Sequence, residues 1–274
     1  MVGRALSMGL GFGRRVGAAT PAFSPANLFL VGGSRGAAYD FTDWTKVFTD
    51  TARTTAVTAN GQAIAGITDL SGLGNHIAQL DSTKRALSGD LGSFKCAVFD
   101  GVNDGYQTPA IDFSTSDEVT VIVGHRKTNT SASTLAELGN LGPFSQSGTF
   151  QMLAHSGTEH GRLAGGGTIA GGASSAPTAG YAPPRTSVYT GILKVANDTK
   201  VLRIDGVEAA TSAADQGAGN FINAVVNIGA RNDGAANALN GSITRWIVIN
   251  RILSPSELVA AELWVNAATG ASFP

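Results

Sequence analysis

The feature that most limits what this chain can fold into is the regular return of short β-branched and aromatic runs, each closed by a turn cluster. KCAVFD (Lys95–Asp100), EVTVIVGHR (Glu118–Arg126), STLAELG (Ser133–Gly139) and TFQMLA (Thr149–Ala154) come in the first half of this pattern. SVYTGILKV (Ser187–Val195), KVLRIDGV (Lys200–Val207), AVVNIGA (Ala224–Ala230) and SITRWIVINR (Ser242–Arg251) follow. Gly, Asn, Asp and Ser clusters lie between them, and these are the residues that tolerate tight turns. Asp205-Gly206 is a two-residue hairpin signal. Strand signals this dense, with almost no helical period, predict an antiparallel sandwich.

Composition agrees. Gly numbers 36 of 274 residues and charged residues are only 14%, which suits tight turns and leaves little for charged surface helices. Apolar residues make up 43%, enough to bury a core. The formal net charge of -1 gives no basic footprint for nucleic acid, so no nucleic-acid partner is expected. The single cysteine, Cys96, excludes an intrachain disulfide and a cysteine zinc site, and its place in KCAVF predicts a buried strand residue. No run approaches the roughly 18 apolar residues of a membrane span, so no membrane insertion is expected. At the start, Arg4 precedes a short, glycine-broken run, and Arg14 and Arg15 follow it, the wrong order for a secretion signal.

Two departures from the strand pattern stand out. Residues 1–37 are rich in Gly, Ala, Pro and Arg and read as an N-terminal arm that orders only against a partner, with NLFLV (Asn27–Val31) as a candidate strand. Residues 38–274 form the second unit. Near its end, Ser254, Pro255 and Glu257 make a capping box with proline at the first helical position. The apolar positions Leu258, Ala261, Trp264 and Val265 then predict one helix to about residue 268, stopped by Gly270 and packed across an edge of the sandwich.

Several motifs occur in order: DLSGLGNHIAQL (Asp69–Leu80), KCAVFDGVNDGYQTP (Lys95–Pro109), EVTVIVGHRK (Glu118–Lys127), KVLRIDGVEA (Lys200–Ala209) and VVNIGARNDGAANALNGSITRWIVINRILSPSEL (Val225–Leu258). Together they resemble the concanavalin A-like lectin/glucanase jelly rolls of the laminin-G-like type. The segment Ala37–Gln79, with the Gly- and Arg-rich start, is similar to structural proteins of tailed bacteriophages. It departs from that pattern at Ala38 and Phe41. The resemblance implies an all-β antiparallel jelly-roll β-sandwich with an extended N-terminal arm and one short C-terminal helix. It also implies a virion component (tail, fibre, neck or head decoration) made in the bacterial cytoplasm. Other virion proteins and sister subunits, in a homo-oligomer such as a trimer, are the expected partners, and a host-surface glycan is a further one. Arg4, Arg14 and Arg15 are the candidates for anchoring the arm.

Within the Asp69 motif, Gly72 and Gly74 supply positive φ, Asn75 tolerates it, and Ile77 opens a strand, leaving His76 a structural role. Gly32-Gly33-Ser34-Arg35-Gly36 fits G-x-S-x-G, but no helix pattern follows it and no parallel sheet surrounds it, so a chance match is expected. His155, Glu159 and His160 are one residue too widely spaced for the inverted zinc motif and are broken by glycines. Asp100, Asn103 and Asp104 are weak calcium candidates set against an Asx turn; no other cofactor is expected. The Gly-rich segment 161–187 reads as a surface loop, with Tyr181 and Arg185 as exposed contacts for a partner or glycan. Trp44 is a candidate sugar platform, and Trp246 reads as core.

No strand carries alternating carboxylates. Alternation would place acid and nucleophile on one face, as glycoside hydrolysis needs. Asp117 and Glu118 are adjacent, and Glu257 and Glu262 belong to the helix. The chain is therefore expected not to be an enzyme. The alternatives are a carbohydrate-binding module without a structural role and, less favoured, a glycan-cleaving enzyme.

Overall fold

The computed structural model describes residues 23–141, 146–154, 161–169 and 182–274. The first strands are β1 (Gly36–Asp40), β2 (Val47–Phe48), β3 (Gly66–Ile67), β4 (Ile77–Ala78), β5 (Leu87–Leu91) and β6 (Phe94–Asp100). Next come β7 (Tyr106–Gln107), β8 (Ile111–Asp112), β9 (Glu118–Lys127), β10 (Ser133–Leu138), β11 (Thr149–Ala154) and β12 (Gly161–Gly166). The last are β13 (Arg185–Lys194), β14 (Thr199–Ile204), β15 (Val207–Ser212), β16 (Asn223–Ala224), β17 (Val226–Ile228) and β18 (Asn240–Ile249), before helix α1 (Pro255–Asn266). Each of the eight strand runs read from Lys95 onward forms a strand, and the Asp205-Gly206 pair turns β14 into β15 with both residues at positive φ.

The sandwich has two main layers. The eight-stranded sheet runs β15-β14-β13-β9-β18-β6-β5, and β1 also pairs with β18. The five-stranded sheet runs β12-β11-β10-β17-β7. The pairings described in both are antiparallel. One core lies between the layers. Val119, Val121 and Val123 of β9, Tyr189 and Leu193 of β13, and Trp246 of β18 meet Phe150, Met152, Leu163, Val226 and Ile228 of the smaller sheet. Period-2 alternation decides this, since successive side chains face opposite ways. The intervening Ile122, Val188 and Ile247 therefore point outward, into a second apolar cluster with Ala261 and Val265 of α1. Central strands are thus buried on both faces, which is why they read as continuous apolar runs.

Three expectations are corrected. Helix α1 packs over β9, β13 and β18, in the middle of the large sheet and not across an edge. Gly124 makes this close approach fit, because a Cβ there would lie 2.8 Å from Val265 Cγ1. NLFLV is not a strand: Pro25–Phe29 is a 3-10 helix with proline at its first position, and Leu28 and Phe29 are buried in the second cluster. Of the segment expected to be an arm, Phe23, Leu28 and Phe29 pack on the sandwich and Gly36–Ala37 open β1, whereas residues 30–33 are exposed and 1–22 lie outside the described residues. Gly161–Gly166 is strand β12, not loop. Its glycines allow tight layering, since a Cβ on Gly165 would lie 2.6 Å from Leu193 Cδ2.

The Asp69 motif is a structural latch. Gly72 and Gly74 do have positive φ, but Asn75 does not. The buried Asp69 carboxylate accepts from Ala38 N (3.0 Å), Ser71 N (2.9 Å), Ser71 Oγ (2.6 Å) and Asn75 N (2.9 Å). Asn75 Nδ2 donates to Gly36 O (2.8 Å), and Tyr39 Oη donates to Asn75 O. The loop therefore clamps β1 along its length. His76 Nδ1 accepts from Asp69 N at 3.0 Å; burial and then the Arg53 charge lower its pKa, so it serves as a neutral acceptor.

Candidate functional site

Among the described residues, those singled out in the sequence do not converge. Arg4, Arg14, Arg15, Tyr181, His155, Glu159 and His160 lie outside the described residues. Trp44 is half-buried against the core, and Lys95 Nζ sits 4.3 Å from its ring centroid, so that face is already occupied. Arg185 does not project freely: it pairs with Asp205 (2.7 Å) and donates from Nε to Ser187 Oγ (2.9 Å). The Asp100 carboxylate accepts from Val102 N (2.8 Å) and Asp104 from Asp100 N (2.9 Å), so both cap local backbone as an Asx turn does. Burial, with the neighbouring Asp100 charge, raises the pKa of Asp104. Among the described residues, no cluster of three or more His, Cys, Asp or Glu is placed to hold a metal.

What the fold does assemble lies at the β7 edge of the smaller sheet. Ala78, Gln79, Leu80, Asp81, Lys84, Gln107 and Asp233 line an open hollow of about 310 Å³. Lys84 Nζ contacts Asp233 Oδ2 at 2.7 Å, and Gln79 Nε2 donates to Asp233 Oδ1 at 3.0 Å. That hydrogen bond to Asp233 raises the Lys84 pKa, so the ammonium is fully charged. Asp81 accepts from Thr83 N and Oγ1, which lowers its pKa and keeps it ionised. Leu80 is 81% exposed at the rim, an apolar surface beside polar groups. Asn232 and Asp233 both adopt positive φ, and Gly234 follows, so this turn aims Asp233 back into the hollow.

A polar row behind the hollow holds it in place. Register puts Gln107, Asn227, Glu137 and Gln151 side by side across β7, β17, β10 and β11. All are on the sheet's outward face, because their neighbours Tyr106, Val226, Leu138 and Phe150 are in the core. Gln107, which lines the hollow, donates from Nε2 to Asn227 Oδ1 (2.9 Å) and to Asn140 Oδ1 (3.1 Å). Asp233 N donates to the same Asn227 oxygen (3.3 Å). Glu137, fully buried, accepts from Arg231 Nε (2.9 Å and 3.0 Å) and from Gln151 Nε2. Burial raises the Glu137 pKa, and Gln151 and Arg231 hold it back.

Sequence reasoning missed this site. One signal was legible: Glu137 is a lone charge inside the apolar strand STLAEL, and a buried charge must be paired. Its partner is 94 positions away, so nothing local names it.

No protein-family model matches the chain, and no curated protein matches it. Solved structures do. An arabinofuranosidase complexed with arabinofuranosyl-alpha-1,2-xylobiose aligns with a TM-score of 0.58 at 14% identity, covering 90% of this chain and 65% of that one. The fourth domain of an extracellular arabinanase from Geobacillus stearothermophilus, in complex with arabinotriose, aligns at 0.51 and 16% identity, covering 83% and 97%. Trypanosoma rangeli sialidase in complex with sialic acid aligns at 0.53 and 15% identity, covering 86% and 33%. The chain thus spans 33% of the length of that sialidase. At these identities the likeness establishes the shared β-sandwich fold.

Proposed function

We propose that this protein is a non-catalytic, glycan-binding β-sandwich whose saccharide site is the hollow beside Lys84 and Gln107. The observation that carries the reading is the hollow's complement of fixed polar groups. It offers an ammonium donor on Lys84, an amide acceptor on Gln107 and the carboxylates of Asp81 and Asp233. Sugar hydroxyls donate and accept together, so a site that holds both kinds of partner rigidly suits them. The hydrogen bonds to Asn227 and Asn140 pre-order Gln107, which lowers the cost of binding. The saccharides in the neighbouring arabinofuranosidase and arabinanase structures support the ligand class.

The non-catalytic part rests on protonation. A glycoside-cleaving acid needs a raised pKa and contact with substrate. Asp81 is lowered, and Glu137, which is raised, is fully buried. The further reading, that the domain is carried on a tailed-phage particle as an oligomer, rests on the motif resemblance at Ala37–Gln79 alone. Detection of the chain in purified particles tests it.

The binding test is a titration of the whole protein with arabino-, galacto- and gluco-oligosaccharides, followed by amide NMR. Saturable shifts at Gln79, Lys84 and Gln107, weakened at least 10-fold in Lys84→Ala or Gln107→Ala, are expected. Shifts confined to other surfaces, or hydrolysis of the saccharide, would sink the proposal.

A further inference from the structure

The G-x-S-x-G segment has a structural setting that its failed hydrolase reading does not explain. Gly32, Gly33 and Ser34 line a hollow of about 320 Å³ with Thr115, Ser116, Asn250 and Arg251. That size falls within the roughly 300–1,000 Å³ of small-ligand sites. It lies where β1 and β9 begin and β18 ends, away from the hollow at Lys84. Asn250 staples the loop down: its Oδ1 accepts from Arg35 N (2.6 Å), and its Nδ2 donates to Gly33 O (3.3 Å). The space above the glycines is open, since a Cβ on Gly32 or Gly33 would meet no atom within 4 Å.

Two polar atoms of this lining lack partners. Ser34 is 5% exposed, and its Oγ is buried without a hydrogen bond. Arg251 spends Nη1 and Nη2 on both oxygens of Glu257, and Nη2 also on Leu28 O, while its Nε is buried without an acceptor. A buried donor left unmade keeps its full desolvation cost, so two in one hollow call for a partner. Serine hydroxyl and guanidinium Nε both have hydrogens to donate, so the partner must bring acceptor oxygens.

Charge narrows the class. The Arg251 charge is already matched by Glu257, and Glu118, whose Oε2 accepts from Ile252 N (3.1 Å), is matched by Lys194 (2.7 Å). Within the lining no positive charge is left unmatched for a phosphate or carboxylate; the exposed Arg35, whose Nη1 donates to Ser34 O (3.1 Å), is not part of it. The lining supplies no histidine or cysteine and no carboxylate, which leaves Ser34 without a general base.

We infer that the hollow formed by Gly32, Gly33, Ser34, Asn250 and Arg251 is a second ligand site, which takes the hydroxyl and ring oxygens of a neutral saccharide unit. Ser34 Oγ and Arg251 Nε donate to the sugar, and the bare glycine backbone lets its ring approach. The site is separate from the one at Lys84 and stands or falls independently of it.

The experiment is amide NMR on the full chain titrated with D-galactose and L-arabinose, read at Gly32, Gly33, Ser34 and Ser116. Wild type should give saturable shifts at these amides. Ser34→Ala should weaken that binding at least 10-fold and leave shifts around Lys84 unchanged. Gly32→Leu, placed in open space and so compatible with the fold, should block the hollow outright. The inference is overturned if wild type shows no saturable shift here, or if Ser34→Ala and Gly32→Leu bind as wild type does. It is also overturned if Ser34→Ala merely raises Tm with no saccharide effect, because an ordered water or a bare desolvation cost then explains the hydroxyl.

Discussion

Glu137, on the outer face of β10, and Arg231, in the connection after β17, meet through one guanidinium nitrogen that reaches both carboxylate oxygens at 2.9 and 3.0 Å. The acid is fully buried, and the arginine side chain is 27% exposed. Such a pair costs desolvation on formation and far more when one partner is removed. It stands directly behind Asn227 and so holds the register of the polar row.

Arg231→Ala is therefore expected to cost roughly 3 kcal/mol, the lower end for a broken buried pair because the arginine keeps some water. Glu137→Gln, which removes the charge and keeps the shape, should cost less. Urea unfolding measures both. A loss of under about 1 kcal/mol in Arg231→Ala would show that the pair is not what stabilises this face.

Asp69→Ala removes the acceptor for Ala38 N, Ser71 N, Ser71 Oγ and Asn75 N together. Hydrogen bonds to a charged group contribute about 1.5–3 kcal/mol each, though not additively. A loss of at least about 3 kcal/mol is expected, with β1 amides such as Ala38 losing hydrogen-exchange protection first. Uniform loss across the sheet would speak against a local latch.

His125 sets an acid limit. It is buried, packs edge-on against Tyr189 at 4.5 Å, and burial lowers its pKa to about 3, with Lys127 and Arg185 adding to the effect. A depressed histidine is neutral in the fold and charges first in the unfolded chain. Its contribution is complete above about pH 6.5 and is lost as pH falls from there toward 3, by at most ~1.4 kcal/mol per pH unit. Thermal scans between pH 7 and pH 5 should show the decline, and His125→Phe should flatten it. An unchanged slope in that variant would remove His125 as the cause.

Glu257 acts in a lower window. The Arg251 hydrogen bonds, with those from Ser254, hold its pKa at about 2. A depressed carboxylate stabilises above its unfolded pKa of about 4.3 and loses that contribution as pH falls toward 2. Glu257→Gln should be less stable than wild type at pH 7, by about 1 kcal/mol because the side chain is still 29% exposed and so partly screened, and equal to it near pH 2. A constant difference at both pH values would argue against this linkage.

The sequence by itself determined the elements of this protein. The strand runs, the Asp205-Gly206 hairpin, the Ser254–Glu257 cap and the core positions of Trp246 and Cys96 all follow from rules that act within a few residues. Local rules misread two short pieces. NLFLV has strand residues, but Pro25 starts a 3-10 turn there, and the glycines of 161–166 pack tightly enough to extend a sheet. What only the tertiary structure decided is which residues face each other. Gln79 reaches Asp233 across 154 positions, and Arg231 reaches Glu137 across 94. The helix sits over the sheet centre because Gly124 leaves room there. Strand register and layer contact bring such partners together, and a one-residue slip would turn every one of these side chains to the other face. Propensity and periodicity carry no information about that choice, so the candidate site became visible only once the sheets were paired.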